Sequence, residues 1–198
     1  MDASVQVFRF CEDEDIHHVS GSVDPVRYIE IITTELVLAD LDALKKKRAS
    51  IAKDAKRGDK QAVAEDAILA KLEPHLDAVK PAITLQLTPE EKAISRLFWL
   101  MTDKPTIFAC NVKESDLAQG DKNPYVQKVQ EYVKTHLACE AVVISAQIES
   151  DLIDLSDAEA KEFLKELGVA ESGVGALIRA TYHLLGLRTY FTAGEKEV

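Results

Sequence analysis

The fold is decided by two apolar stretches, Pro105-Thr106-Ile107-Phe108-Ala109-Cys110-Asn111 and Glu140-Ala141-Val142-Val143-Ile144-Ser145. A helical pattern over residues 123–137 separates them. Strands that are apolar along their whole length and alternate with helices indicate a buried parallel sheet. We therefore predict an α/β fold with a parallel sheet that contains these two strands.

Further elements lie on both sides of this unit. The β-rich residues 5–11 and 187–192 predict two more strands. A capped helix is predicted to start at Thr88-Pro89 and to run to about Met101. A capping box, Ser156-Asp157-Ala158-Glu159, predicts a helix that ends at Gly168, and residues 173–185 predict the last helix.

A long helical segment precedes the strand predicted over residues 105–111. Residues 26–57 contain neither Gly nor Pro, and apolar residues recur there at three- and four-residue steps. The predicted stripe is Ile29, Ile32, Leu36, Ala39 and Ala43. After Gly58-Asp59, a second stripe is predicted from Ala64, Ile68, Leu72, Leu76 and Val79. The two segments predict a long antiparallel helical hairpin, coiled-coil-like, with Pro74 kinking or shortening the second arm.

Composition excludes several classes of protein. The 198 residues carry 24 Lys+Arg against 34 Asp+Glu, a net charge of −10, which argues against a surface that binds nucleic acid everywhere. The three cysteines form no C-x-x-C motif, so a zinc ribbon or a thioredoxin-type site is excluded. No apolar run approaches the roughly 18 residues that a membrane span needs. The start of the chain does not resemble a signal peptide, and we expect a soluble intracellular protein.

Polar residues at the ends of the two strands are candidates for binding a nucleotide base. P-loop GTPases read guanine with an Asn-Lys-x-Asp motif after a strand, because a carboxylate accepts two hydrogen bonds without donating one. Here the motif is Asn111-Val112-Lys113-Glu114, whose acid is longer by one methylene group. A Ser-Ala-x loop, Ser145-Ala146-Gln147, follows the next strand. An ordinary loop between strand and helix is the alternative explanation of each motif alone.

Longer segments resemble one family. Ile32-Thr33-Thr34-Glu35-Leu36-Val37-Leu38-Ala39-Asp40-Leu41-Asp42, together with residues 11–19, 111–114, 145–149 and 189–198, closely resembles the YchF or Obg-like ATPase family, over nearly the whole chain. In that family a P-loop GTPase domain is interrupted by a helical hairpin and followed by a TGS domain. The resemblance implies a cytoplasmic, ribosome-associated and redox-regulated protein that binds and hydrolyses ATP, with GTP weaker, and that uses Mg²⁺.

The resemblance also implies a domain layout and a base site. Residues 1–24 and 103–187 are then parts of the GTPase-like domain, residues 25–102 the helical insert, and residues 188–198 the start of the TGS domain. The residues implied to surround adenine are Asn111, Val112, Glu114, Ser145, Ala146 and Gln147.

The motifs that handle phosphate are missing from this chain. No Gly is followed by Lys, so there is no G-x-x-x-x-G-K-[ST] loop, and no Asp stands three residues before a Gly, so there is no D-x-x-G motif. Phosphoryl transfer depends on such parts for positioning and charge neutralisation. We expect a fragment of the family's protein that contains no Mg²⁺ ligands and has no catalytic activity alone. The alternative is a non-catalytic interaction module whose helical hairpin binds ribosomal RNA or protein.

The hairpin tip, residues 45–60, is strongly basic. It holds two acids and eight basic residues, a charge of +6 on a body of −16. Such a tip is a candidate for contacts to RNA phosphates, and a solvated helix face is the alternative. The basic residues are Lys45, Lys46, Lys47, Arg48, Lys53, Lys56, Arg57 and Lys60.

The remaining candidates have weaker signals. His17 and His18 follow four acidic residues but stand side by side on a predicted loop, so we do not predict a metal site. Cys11 and Cys110 fall in predicted strands and are expected to be buried and inert. Cys139 is the best candidate for a redox thiol. Structural roles are expected for His75, His136 and His183.

Overall fold

The structure is a computed structural model, and it describes residues 3–9, 24–137 and 139–193. Its centre is a parallel sheet of three strands, ordered β1-β2-β3. The strands are β1 (Ser4–Arg9), β2 (Thr106–Asn111) and β3 (Glu140–Ile144). The helices are α1 (Pro25–Lys56), α2 (Lys60–Asp77), α3 (Pro89–Ser95), α4 (Glu114–Leu117), α5 (Pro124–His136), α6 (Ala146–Leu152), α7 (Asp157–Glu166) and α8 (Gly173–Leu185). The predicted α/β class with a parallel sheet is confirmed, and the structure pairs β2 with β3.

The middle strand forms the centre of the first hydrophobic core. Phe108 on β2 pairs in register with Gln6 on β1 and Ala141 on β3. Both faces of β2 are buried, which explains why its sequence is apolar without alternation. The helix α5 covers this sheet with Val126, Val129 and Val133, all of them buried in the same core.

A three-residue connection joins α1 to α2 and turns the chain back. Gly58 adopts a φ of +83°, which glycine reaches without steric cost. The carboxylate of Asp59 then accepts the N–H of Ala62 at 2.8 Å and caps α2. The two helices pack against each other around a second core. The α2 helix ends at Asp77, three residues after Pro74.

The predicted apolar stripe of α1 is wrong in most of its positions. Ile29 is buried, but Ile32, Ala39 and Ala43 are exposed. The residues of α1 that face α2 are Val37, Leu41 and Leu44. Since α1 carries apolar residues on more than one face, its periodicity alone did not show which face α2 would cover. In the second stripe Val79 is exposed, because it lies beyond the end of α2.

Two further predicted elements differ from the structure. The helix that begins with the Thr88 capping box ends at Ser95 rather than near Met101. Short 3₁₀ turns over residues 96–98 and 101–103 follow it. Between them Trp99 has a φ of +55°, a left-handed conformation that costs a non-glycine residue about 1–2 kcal/mol and interrupts the helix. The predicted strand over residues 187–192 is absent, since these residues pair with none of the strands that the structure describes.

A buried carboxylate connects α1 to the segment that enters β2. Asp40 is 2% exposed, and its oxygens accept the backbone N–H groups of Met101 and Thr102, both at 2.7 Å. The Thr102 hydroxyl donates a third hydrogen bond to Asp40 at 2.6 Å. The same hydroxyl accepts the N–H of Ala82 at 3.0 Å. This network ties together three segments that are distant in the sequence.

We expect Asp40→Ala to destabilise the protein by about 3 kcal/mol, because it leaves two backbone donors and a buried hydroxyl without their acceptor. Urea unfolding followed by circular dichroism measures the loss. The matched control is Asp42→Ala, which removes an exposed carboxylate paired with Lys46 at 2.7 Å and should cost less than about 0.5 kcal/mol. Equal losses for the two variants would contradict the role given to Asp40.

Candidate functional site

The ends of β2 and β3 are joined by a side chain. Asn111 is the last residue of β2, and its Oδ1 accepts the backbone N–H of Ala146 at 2.9 Å. Ala146 is the first residue of α6, directly after β3. The two loops that the sequence singled out therefore meet at the carboxyl edge of the parallel sheet, where open α/β sheets commonly bind ligands.

Two of the predicted site residues are buried beneath this edge. The side chain of Val112 is 2% exposed and packs in the first core, while its N–H donates to the carbonyl oxygen of Ile144 at 2.9 Å. Val112 thus holds the two loops together and presents no side chain at the surface. Ser145 is also buried, and its Oγ has no hydrogen-bond partner among the described residues.

The other predicted site residues are exposed. Glu114 is the first residue of the short helix α4, directly after the β2 loop. Ala146 and Gln147 are exposed at the start of α6, and the amide of Gln147 donates to Asp151 at 3.0 Å along that helix. The edge therefore offers one carboxylate, one amide and the backbone of the Ser145–Ala146 loop to solvent.

Glu149 is a residue of this region to which sequence reasoning assigned no role. Its Oε1 accepts the N–H of Gly173 at 2.6 Å and so fixes the start of α8 beside the Ser145–Ala146 loop. Gly173 allows a close approach there, since an added Cβ would lie 2.9 Å from Cα of Ile144. One sequence signal could have pointed to Glu149. It is the last residue of 145–149, one of the segments on which the family resemblance rests.

Ion pairs occupy about half of the basic tip. Lys47 pairs with Glu65 at 2.9 Å, and Arg48 bridges Asp66 at 2.8 Å and Glu73 at 2.5 Å. These contacts join α1 to α2, so Lys47 and Arg48 stabilise the helix pair. Lys46 and Arg57 have weaker, exposed partners within α1 and its cap.

Four lysines of the tip remain available. Lys45, Lys53, Lys56 and Lys60 are exposed. They take part in none of the ion pairs formed by residues 24–137. Lys45 and Lys56 border an open groove of about 640 Å³ whose floor includes Ala49 and Ala52. The tip therefore offers less positive charge to a binding partner than its eight basic residues indicate.

Comparison with known proteins identifies the family. No protein-family model matches the chain. The ribosome-binding ATPase YchF of Bacillus subtilis (strain 168) is 43% identical over 198 residues, which is 100% of this chain and 54% of the relative. The chain belongs to the YchF family. A YchF of Escherichia coli O157:H7, also called a ribosome-binding ATPase, is 44% identical over 97% of this chain and 52% of its own length.

A solved structure supports the same assignment. The YchF GTPase of Schizosaccharomyces pombe matches 98% of this chain with a TM-score of 0.81 and 31% identity, and 53% of that protein is covered. The chain thus spans about half the length of the YchF proteins it matches. The predicted resemblance is confirmed.

The described thiols of this YchF-family chain are poorly placed for redox chemistry. Cys110 is fully buried, and burial raises the pKa of its thiol to about 12. Burial also raises the pKa of Cys139, whose Sγ lies 3.2 Å from the carbonyl oxygen of Leu137. Since the thiolate is the reactive form, the structure disfavours both residues as sensors at neutral pH. Cys11, the four acidic residues that follow it, and His17 and His18 lie outside the described residues.

The other described histidines contact neighbouring residues of the fold. His75 Nε2 lies 2.8 Å from the Thr84 hydroxyl and 3.1 Å from the Pro81 carbonyl oxygen, which is a structural role. His183 pairs with Glu140 at 2.6 Å, and His136 stacks on Tyr132.

Within residues 3–9, 24–137 and 139–193, no group of three His, Cys, Asp or Glu side chains is arranged to hold a metal ion. No helix in that part of the chain is long and apolar enough to span a membrane.

We expect the helix pair to lose stability in acid through Glu65. Hydrogen bonds from Lys47 and Gln61 lower the pKa of this carboxyl below its ordinary value. A lowered pKa in the folded state means that the stabilisation is present above the unfolded pKa and is lost as the pH falls through the folded pKa. At pH 7, Glu65→Gln should cost about 1.5 kcal/mol, and this difference from the parent should shrink below about pH 4.5.

Urea midpoints from pH 3 to pH 7 measure this difference. The control is Glu35→Gln on the exposed face of α1, which should change the free energy of unfolding by less than about 0.5 kcal/mol at pH 7. A Glu65→Gln difference that is independent of pH would contradict the assignment.

Proposed function

We propose that this chain forms the base-recognition half of a ribosome-associated, ATP-binding and ATP-hydrolysing protein of YchF type. The observation that carries the proposal is the hydrogen bond from the Ala146 N–H to Asn111 Oδ1, which unites the two base-reading loops. A second support is the name of the relatives, which are ribosome-binding ATPases.

The exposed polar groups of the edge have the chemistry that an adenine base requires. The Glu114 carboxylate accepts the 6-amino group, and the amide of Asn111 borders the ring. The Ser145–Ala146 backbone and Gln147 complete the base site, and the unpartnered Ser145 Oγ is a further polar group beneath it. Val112 acts through its backbone, by holding the β2 loop to Ile144. The extra methylene of Glu114, compared with Asp, favours ATP over GTP.

The phosphates and Mg²⁺ of a bound nucleotide require groups other than the described ones. The acids and histidines described form no group that fits a metal ion, and the sequence holds no phosphate-binding loop. We therefore derive no hydrolytic step from this chain and propose that, alone, it does not turn over ATP.

The proposed arrangement follows the family's domain order. Residues 1–24 and 103–187 form parts of the GTPase-like domain, residues 25–102 form the helical insert, and residues 188–198 begin the TGS domain. The α1–α2 pair then acts as an antiparallel, coiled-coil-like arm of a cytoplasmic protein. A redox response, if the family's regulation extends to this chain, uses a thiol other than the fully buried Cys110.

The tip of the arm is the proposed contact with the ribosome. Four lysines of the tip form no ion pair with any described residue and offer positive charge to RNA phosphates. They are Lys45, Lys53, Lys56 and Lys60. No aromatic residue lies within 45–60, so the tip is suited to backbone contacts and not to base stacking. A non-catalytic interaction module is the second candidate function, because this surface is independent of the nucleotide edge.

Nucleotide titrations test the base site. We expect millimolar ATP to shift the amide NMR signals of Asn111 and Ala146 in the labelled chain, GTP to act more weakly, and no phosphate release above a blank. Asn111→Ala should weaken ATP binding about fivefold or more. Asn123→Ala is the matched control, because Asn123 Oδ1 likewise accepts one backbone N–H at 2.9 Å, from Tyr125. Shifts located elsewhere would contradict the site, and none at all would favour the interaction module.

Charge reversal tests the tip. Lys53→Glu/Lys56→Glu should abolish salt-sensitive co-sedimentation with ribosomes, since it replaces two unpaired cations by anions. Lys161→Glu/Lys165→Glu on α7 changes the net charge equally at exposed positions and should retain binding. Reversal at Lys47 and Arg48 is unsuitable, because it breaks the ion pairs between α1 and α2. Equal loss in both double variants would show that net charge, rather than the tip, governs the association.

A further inference from the structure

Trp99 is an exposed aromatic residue in a strained backbone conformation. It is the chain's single tryptophan, its side chain is 71% exposed, and its φ is +55°. A bulky residue is rare in this region, because its Cβ approaches a carbonyl oxygen. Such strain persists only where the surroundings enforce it, and it concentrates at functional positions.

The surroundings of Trp99 do enforce it. Its N–H donates to the carbonyl oxygen of Arg96 at 3.4 Å. Leu100, the next residue, is buried in the second core, and Met101 and Thr102 are held by Asp40. The indole is therefore displayed to solvent by a backbone that is anchored on both sides.

Two cations precede Trp99 in the chain, by seven and three residues. Lys92 and Arg96, one helical turn apart, line an open depression of about 340 Å³ together with Leu87, Pro89 and Ala93. Both charged residues of this lining are positive, and neither forms an ion pair within residues 24–137. Of the nearby acids, Glu91 is paired with Lys71. Asp103 accepts the Ser95 hydroxyl at 2.9 Å and interacts electrostatically with both Arg96 and Lys92.

We propose that Trp99 is a stacking platform for an unpaired RNA base, with Lys92 and Arg96 holding the adjoining phosphates. Aromatic faces stack on any base, and cations beside them bind the backbone. Leu97 and Met101, two residues before and two after Trp99, are also exposed. The choice of RNA as partner rests on the proposed ribosome association.

This surface differs from the tip in place and in chemistry. Asp40, which anchors the segment of Trp99, precedes Lys56 by 16 residues of α1, about 24 Å of helix. The tip holds lysines without aromatics, whereas this surface combines an indole with two cations. The tip is thus suited to phosphates alone, and the Trp99 surface to a single-stranded segment.

The fluorescence of the lone tryptophan reports stacking directly. We expect saturable quenching when single-stranded oligoadenylate is added to the intact chain, and weaker quenching by the same length of duplex. Quenching by polyglutamate but not by RNA would overturn the proposal and assign the surface to an acidic protein segment. Absence of quenching by either polymer would also overturn it.

Variants separate a binding role from a structural one. By anisotropy of labelled oligoadenylate, Trp99→Phe should bind within about threefold of the parent and Trp99→Asn about tenfold more weakly. Because Asn tolerates the left-handed conformation, Trp99→Asn should raise Tm by about 2–4 °C. Lys92→Ala/Arg96→Ala should lower the salt slope of binding by about 2. Unchanged RNA affinity in Trp99→Asn would overturn the proposal.

The RNA-binding test of the Trp99 surface and the ribosome-binding test of the tip can fail independently of each other. Loss of ribosome co-sedimentation in the Lys53/Lys56 variant without any RNA quenching of Trp99 would refute only the stacking platform. Quenching by RNA in a chain that does not co-sediment with ribosomes would support stacking and refute only the proposed ribosome association.

Discussion

The carboxylate of Asp40 is the interaction on which the rest of this structure depends. A buried charge is costly unless donors surround it, and Asp40 receives three hydrogen bonds from Met101 and Thr102. Through Thr102 the network extends to Ala82, just beyond α2. One side chain in the middle of α1 thereby ties the end of the helix pair to the segment that enters the sheet. The burial of a polar residue in α1 is thus explained by what it binds.

The same anchor relates the two candidate surfaces. From Thr102 the chain continues directly into β2, whose last residue, Asn111, holds the Ala146 loop. Toward the N-terminus, three residues before Thr102, the anchored backbone holds Trp99 in a left-handed conformation that a non-glycine residue rarely adopts. The proposed nucleotide edge and the proposed Trp99 surface therefore lie at the two ends of one short segment of chain, residues 99–111.

The elements that local signals predict agree well with the structure. The helix of residues 173–185 and the capping box at Ser156 were both predictable, because caps and glycine stops act over a few residues. The convergence of Asn111 with Ala146 was predictable as well, since the carboxyl ends of neighbouring parallel strands share one edge. The burial of Val112 and the contact of Glu149 with Gly173 were not, because each depends on a partner more than 20 residues away.

By itself the sequence determined the parallel α/β class, the start and end of most helices, the family, and the two loops that meet at the sheet edge. Only the tertiary structure decided which face of α1 is buried, which cations of the tip are neutralised, and that residues 187–193 have no strand partner among the described residues. The physical reason is distance along the chain. Arg48 meets Glu73 across 25 residues and Asp40 meets Thr102 across 62, whereas caps and periodicity report only on neighbours within a few turns.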